Sequence, residues 1–367
     1  MSVDTLSDGG ILWVVDCGAD APPADPIRLS GSPIASQRMR VAAPAAHLAD
    51  LGLTQRAVSM RDEQDFESLR TATPSVAIFS KLLGTAGMEA HLERHERLAG
   101  EFGRRGIPVV IDVCDNYFIA AAAPYLVRMI KCARRVVANS DATADMIAEA
   151  TGIKASVIGD PVESARSIPA FNSPVGGFLS RFWRRPDRPL NLLWYGGPLR
   201  SFEPLQKMLP RLTRLSTTLP IDLHLVTAKF EEVEAAAQGI NNQGNHLRAR
   251  LTPWSRESIR DAISAADLVI LPGDASDPSR FGASANRLAE AIWGGRYVVA
   301  SGIASYWEFR EAASVGDDVI AGVLWACRHA EEVRRRITLG QKIIQARYTP
   351  QAIGHAWRSL ATEIIDS

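Results

Sequence analysis

The residues best placed to do chemistry lie between Asp267 and Tyr306, which read DLVILPGDASDPSRFGASANRLAEAIWGGRYVVASGIASY. Asp267–Pro272 is a short apolar run suited to a buried parallel strand. Gly273–Ala283 is a polar loop rich in Gly, Ser, Asp and Pro. Ser284–Trp293 has helical spacing and stops at Gly294–Gly295, and Tyr297–Ser301 is apolar again. In an open α/β sheet the loop after such a strand lies at the ligand-binding edge. A helix start at Ser284, Ala285 and Asn286 offers backbone N–H groups and partial positive charge to a phosphate or diphosphate. Glu290, one turn further on, is placed to accept hydrogen bonds from ribose hydroxyls. The competing reading is a capped helix with Glu290 as a solvated surface acid.

Other candidates stand in the first half of the chain. Asp112 and Asp115 end an apolar run, and Asp115–Asn116 is a polar pair at its end, unless Asp115 only caps the next segment. Ser36, Arg38 and Arg40 open a helix after a loop, a place where an anion such as phosphate can dock, and Ser140 is similarly set at a helix start, where it can cap the helix. Several common chemistries are excluded. No G-x-G-x-x-G follows a strand, and no G-x-x-x-x-G-K-[ST] loop occurs. Gly282–Ala283–Ser284–Ala285–Asn286 ends in Asn where a nucleophile elbow needs Gly. His91 and His95 have i, i+4 spacing, but H-L-E-R-H is not H-E-x-x-H and its helix is charged on every side, so no metal site is assigned.

These residues need elements to position them. Strands are predicted at Ile11–Cys17, Gln55–Met60, Ser75–Ser80, Val109–Val113, Arg135–Asn139 and Ala155–Ile158, alternating with helices such as Ser36–Leu51 and Met88–Arg105. A second series has strands at Leu192–Tyr195, Ile221–Thr227, Leu247–Leu251, Leu268–Leu271 and Tyr297–Ala300. Its helices are expected at Phe202–Ser216, Phe230–Gln238, Arg256–Ala265, Ser284–Trp293 and Tyr306–Ala313. Prolines and glycines break the pattern between. The division is therefore 1–163, a Rossmann-like domain; 164–189, a linker or insertion; 190–345, a second Rossmann-like domain; and 346–367, an amphipathic helix with Ile353, Trp357, Leu360 and Ile364 in register.

Composition narrows the class. At 367 residues two domains are expected, and 46% apolar residues suffice for two cores. Basic and acidic residues balance at 41 each, which argues against a nucleic-acid partner. Four scattered cysteines, a polar acidic start without a signal peptide and no apolar run near the ~18 residues of a membrane span predict a cytoplasmic protein. Phe178–Arg185 (FLSRFWRR) mixes aromatics with arginines and is a candidate for peripheral contact with the inner face of an anionic membrane, against the plainer reading of a linker folded on its own domain.

Taken together, RVVANSD at 135–141, VIGDPV at 157–162, LLWYGG at 192–197 and the 267–306 stretch resemble the retaining GT-B glycosyltransferases over nearly the whole chain. The resemblance implies an α/β fold of two Rossmann-like domains facing across a cleft, with the C-terminal helix crossing back to the N-terminal domain. It implies a nucleotide-diphosphate sugar as donor, an acceptor hydroxyl on a glycan, lipid-linked, protein or small-molecule partner, and neither a cofactor nor a catalytic metal. By the same resemblance Glu290 matches an acid that contacts the ribose. The sugar-contacting acid expected at 282 is Gly282, and Ser284–Ala285–Asn286–Arg287 matches a polar variant of this region. Gly197 and Arg200, with Lys207 or Lys229 as substitutes, match the diphosphate side, where a guanidinium neutralises leaving charge. Catalytic roles fall to Asp115 and Arg200, and sugar or acceptor contacts to Arg38, Asp115, Asn116, Ser140 and Gly282. The alternatives are a GT-B sugar-nucleotide epimerase and a noncatalytic GT-B subunit that binds sugar nucleotide or a partner protein.

Overall fold

The computed structural model describes residues 9–15, 22–80, 89–119, 121–174, 188–197 and 201–366. The chain forms two compact units. The first comprises Met1–Pro161, Asp277–Ser284 and Arg347–Ser367; the second comprises Val162–Ser276 and Ala285–Ala346.

In the first unit six strands, β1 (Ile11–Val15), β2 (Gln55–Val58), β3 (Val76–Ser80), β4 (Val109–Val113), β5 (Arg135–Ala138) and β6 (Ser156–Val157), pair in parallel in the order β2-β1-β3-β4-β5-β6. The inner strands β1, β3 and β4 are buried along their whole length because helices cover both faces, while the edge strands β2 and β6 carry polar, partly exposed residues. On one face Leu92, Phe102, Leu126 and Met129 pack against Leu12, Phe79 and Ile111. On the other, Val41, Ala45, Leu48, Ile353, Trp357 and Leu360 cover Ile11, Trp13 and Ile78. The helix Pro350–Ile365 thus belongs to the first unit. The Trp13 and Trp357 rings lie 5.9 Å apart, tilted by 57°.

The second unit holds β7 (Leu190–Tyr195), β8 (Ile221–Thr227), β9 (Leu247–Pro253), β10 (Leu268–Leu271), β11 (Tyr297–Ala300) and β12 (Ser314–Val315), parallel in the order β12-β11-β10-β7-β8-β9. The chain lays β7, β8 and β9 outward in one direction. It then returns to the opposite side of β7 for β10, β11 and β12. Such a reversal leaves a crevice at the carboxyl ends of the two strands where it occurs, here β7 and β10.

Three expectations need correction. Residues from Val162 onward already belong to the second unit, so 164–174 is not a separate linker. The reason is local bonding: Trp293 Nε1 donates to Ser164 O at 3.1 Å, Ser167 N to Trp293 O at 3.0 Å, and Gln341 Nε2 to Ser167 O at 2.7 Å. Asp277–Ser284, expected within the C-terminal domain, is part of the first unit. Tyr306–Ala313, expected as an α-helix, is a 3-10 turn at Ala304–Phe309 that leads into the two-residue β12, too short to show a period in sequence. Phe178–Arg185 lies outside the described residues.

Candidate functional site

In the second unit the crevice edge is built by the turn after β7, the loop after β10 and the helix Asn286–Trp293. That helix begins at Asn286, two residues later than expected. Its N-cap position is Ala285, whose side chain makes no cap hydrogen bond. Arg287 is fastened across the switch point: its Nη1 donates to Tyr195 O at 3.1 Å, and the Tyr195 hydroxyl donates back to Arg287 O. Burial pushes the Tyr195 phenol well above its ordinary pKa, so it acts as a fixed neutral donor. Gly196 leaves room for this approach: a Cβ there would stand 2.7 Å from Arg287 Nη1 and push the guanidinium aside. Thr227 Oγ1 donates to Gly196 O at 2.7 Å and holds the turn from the β8 side. Gly197 follows, exposed at the edge. Arg200 lies outside the described residues.

A cleft of about 480 Å³ opens beside this edge, lined among others by Lys207, Arg211, Gly273, Asp274, Ser301 and Asp317. Lys207 pairs with Glu203 at 2.7 Å, and Arg211 with Asp318 at 2.8 Å. Its chemistry is mixed, with cations on the helix Phe202–Ser216 and hydroxyl and carboxylate groups on the loops after β10 and β11. Trp254, 38% exposed, stands just past β9 with its amide bonded to Thr227 O at 2.9 Å. An exposed indole at a sheet's carboxyl edge offers a stacking surface.

Glu290 is not a solvated acid. It is only 8% exposed, and its two oxygens accept the Glu163 and Ser164 amides, each at 2.9 Å. Burial pushes its pKa up, partly opposed by those bonds. Glu290 therefore clamps the 163–164 backbone first, and a ribose hydroxyl has only its remaining lone pairs.

In the first unit the carboxyl ends of β4 and β5 gather Cys114, Asp115, Asn116, Asn139 and Ser140. Asp115 is exposed and accepts the Tyr117 hydroxyl at 3.2 Å. Burial pushes the Cys114 thiol pKa well up, which removes it as a nucleophile. Asn116 does not simply present its amide to a ligand, as expected: Nδ2 donates to Pro278 O at 2.8 Å, while Oδ1 accepts Phe118 N at 3.1 Å. Ser140, 1% exposed, caps the helix Asp141–Thr151 by accepting Thr143 N at 3.2 Å, so its hydroxyl serves the helix start rather than an acceptor. Gly282 lies against the Asp115–Asn116 backbone, where a Cβ would stand 2.6 Å from Asn116 N.

Arg38 and Arg40 sit in a π-helical turn, Arg38–Ala42, and both are buried. Arg38 Nη1 donates to Ser32 O at 2.8 Å, which ties it to its own loop rather than to a ligand surface. Arg40 is held more firmly. Its Nε and Nη2 fork onto Asp112, while Nη1 reaches Ile158 O at 2.6 Å, Gly159 O at 3.0 Å and Asp160 at 3.3 Å. Ser80 Oγ adds a bond to Asp112 at 2.8 Å. Burial lowers the guanidinium pKa, and the two carboxylates more than offset it, leaving it above the ordinary value. This network fixes the end of β4, and it excludes Arg40 and Asp112 as docking groups.

Sequence reasoning missed Asn139, Tyr195 and Trp254. Asn139 had one legible signal, its place at the end of a predicted strand.

No family model and no curated protein matches the chain. Solved structures do. HepE of Anabaena, in complex with UDP, shares 14% identity, with 96% of this chain and 100% of that chain covered and a TM-score of 0.64. AviGT4, a glycosyltransferase involved in avilamycin A biosynthesis, shares 16%, with 97% and 98% covered and a TM-score of 0.54. An α-glucosyltransferase in complex with UDP-glucose and DNA containing an abasic site shares 8%, with 96% and 99% covered and a TM-score of 0.52. At such identities the likeness is one of fold. On its two six-stranded parallel sheets and this full-length likeness, the chain has the GT-B fold of those glycosyltransferases.

Proposed function

We propose that the protein is a glycosyltransferase that moves a sugar from a nucleotide-diphosphate donor to an acceptor hydroxyl with retention of configuration. The observation that carries this reading is the β7/β10 edge of the second unit, where Arg287 is locked beside Gly196 at the start of the helix Asn286–Trp293. A helix N-terminus and a fixed guanidinium both favour a diphosphate, and both favour it more as negative charge develops on departure. Glu290 contributes its remaining lone pairs to the ribose, and Trp254 offers its ring to the base. UDP-sugars, seen in the complexes of HepE and the α-glucosyltransferase, are the first donors to try.

In this reading the bond from the anomeric carbon to the diphosphate oxygen breaks as the acceptor oxygen arrives on the same face. The acceptor proton passes to the departing diphosphate. Asp115 receives hydrogen bonds from sugar or acceptor hydroxyls and orients them. Charge on the leaving group falls to the helix terminus, Arg287 and Arg200 rather than to a metal, so EDTA should leave turnover unchanged.

The test is a thermal-shift and product-release screen over nucleoside diphosphates and their sugars, wild type beside Arg287→Lys. At least one diphosphate should raise the melting temperature of the wild type, with a smaller shift in the variant. The corresponding sugar should turn over with an acceptor. A screen in which no nucleotide shifts the wild type would sink the reading. A second reading, a noncatalytic subunit that binds sugar nucleotide, is favoured by the hold of both Glu290 oxygens on the 163–164 backbone. It predicts the same shifts with no turnover, and a sugar-nucleotide epimerase predicts turnover without any acceptor.

A further inference from the structure

Segment 277–284 joins the first unit through contacts that converge on one short stretch. Asn116 Nδ2 donates to Pro278 O at 2.8 Å, and buried Asn139 Nδ2 bridges Cys114 O at 2.9 Å and Gly282 O at 3.3 Å. Between these bonds Gly282 lies so close that a Cβ would stand 2.6 Å from Asn116 N and 2.9 Å from Asp115 C. Both are backbone atoms in a pinned turn, so neither yields as a flexible side-chain tip would. Asn139 is itself fixed, its Oδ1 accepting Thr143 Oγ1 at 2.7 Å. The residue whose backbone these contacts flank is Asp115, and its exposed carboxylate accepts the Tyr117 hydroxyl.

We propose that 277–284 is a strap whose function is to hold the Asp115 carboxylate in position, with Gly282 and Asn139 as its positioning residues. The inference rests on the reading above, in which Asp115 binds hydroxyls of the sugar or acceptor. Position 282 then has a requirement of its own, since any side chain there displaces the strap.

The experiment is a double-mutant cycle between Gly282→Ala and Asp115→Ala in the full chain, read by steady-state kinetics together with hydrogen–deuterium exchange. Gly282→Ala should speed exchange in 277–284 and 114–118 and lower kcat at least tenfold, with nucleoside-diphosphate affinity within about twofold of wild type. Asp115→Ala should lower kcat by a similar factor while exchange in 277–284 stays slow. The double variant should be no slower than Asp115→Ala alone, because a strap that acts through Asp115 has nothing further to lose. Asn116→Ser, which removes the bond to Pro278 O without adding bulk, should repeat the exchange change if Gly282→Ala fails to fold. Unchanged exchange in both strap variants, or losses that multiply in the double variant, overturns the inference. Faster exchange in a protein whose wild type turns over no nucleotide sugar overturns instead the role given to Asp115 and the functional reading with it.

Discussion

Arg40 shows how a residue with the right type for a ligand site becomes an internal brace. Its guanidinium is 1% exposed and meets two carboxylates and two carbonyls. Arg40→Met leaves Asp112 buried and without its main partner, which costs about 3–5 kcal/mol, and urea titration should show it as a lowered midpoint. Arg40→Lys keeps the charge but loses the fork, and should recover only part of that loss. Glu290 is the second such residue. Glu290→Gln replaces one acceptor with an NH₂ facing a backbone N–H, and about 1–3 kcal/mol of stability should go with it. Because the acid's folded pKa is raised, its carboxyl contributes most below the unfolded value and loses that contribution as pH rises through the folded value. The gap between wild type and Glu290→Gln should therefore change across mildly acidic pH and be flat above it. At this scale the sequence made Asp115 and Glu290 visible as acids at a strand end and in a helix, since polar residues beside apolar runs stand out. Their partners were hidden. Asn139 and Gly282 are 143 positions apart, and no local pattern reports that a carbonyl will meet an amide across that distance.

Elements were more legible, for a physical reason. A parallel strand buried on both faces is an apolar run, so β1, β3, β4, β7, β10 and β11 were readable as such. The helices Phe202–Ser216 and Arg256–Ala265 showed their apolar stripes over their full observed length. The helices Glu63–Leu69 and Ala123–Cys132 were not anticipated, the first spanning only 7 residues. The π-turn at Arg38–Ala42 left no trace in a pattern that a plain helix fits equally well. One strand carries its own pH dependence. His224 on β8 is 8% exposed and bonded to Thr252 Oγ1 at 2.8 Å. Burial first, then the nearby Arg250, lowers its pKa from 6.5 to about 4. The unfolded chain binds this proton more readily, so stability falls as pH drops from about 6.5 toward about 4. In His224→Asn that acid slope should flatten, as chemical denaturation at stepped pH would show; an unchanged slope would clear His224 of the effect.

At the scale of the molecule, the six strands of the first sheet and five of the six in the second followed from the alternation of elements, β12 being too short to read. The return of the C-terminal helix was implied by the family resemblance, and the spacing of Ile353, Trp357, Leu360 and Ile364 marked the face it buries. Membership of 277–284 in the first unit was not legible, because it depends on contacts and not on composition. The terminal helix is a full layer of that unit. Trp357, 1% exposed against Trp13, makes this testable: Trp357→Ala should cost about 3–5 kcal/mol, seen in thermal or urea unfolding of the first unit. Gly354→Ala should also be costly, since a Cβ there meets the His47 ring.

That the first unit draws on residues before 161, near 280 and beyond 347 has a consequence for how the protein is made. Domains usually fold in the order in which the ribosome delivers them. Here the sheet face around Ile11, Trp13 and Ile78 has only the part of its cover that Val41, Ala45 and Leu48 supply until Trp357 and Leu360 have been synthesised. While the ribosome works through the second unit, the nascent chain carries an apolar face that is only partly covered. The half translated first is therefore the half finished last, and its early exposure is when a chaperone would matter most.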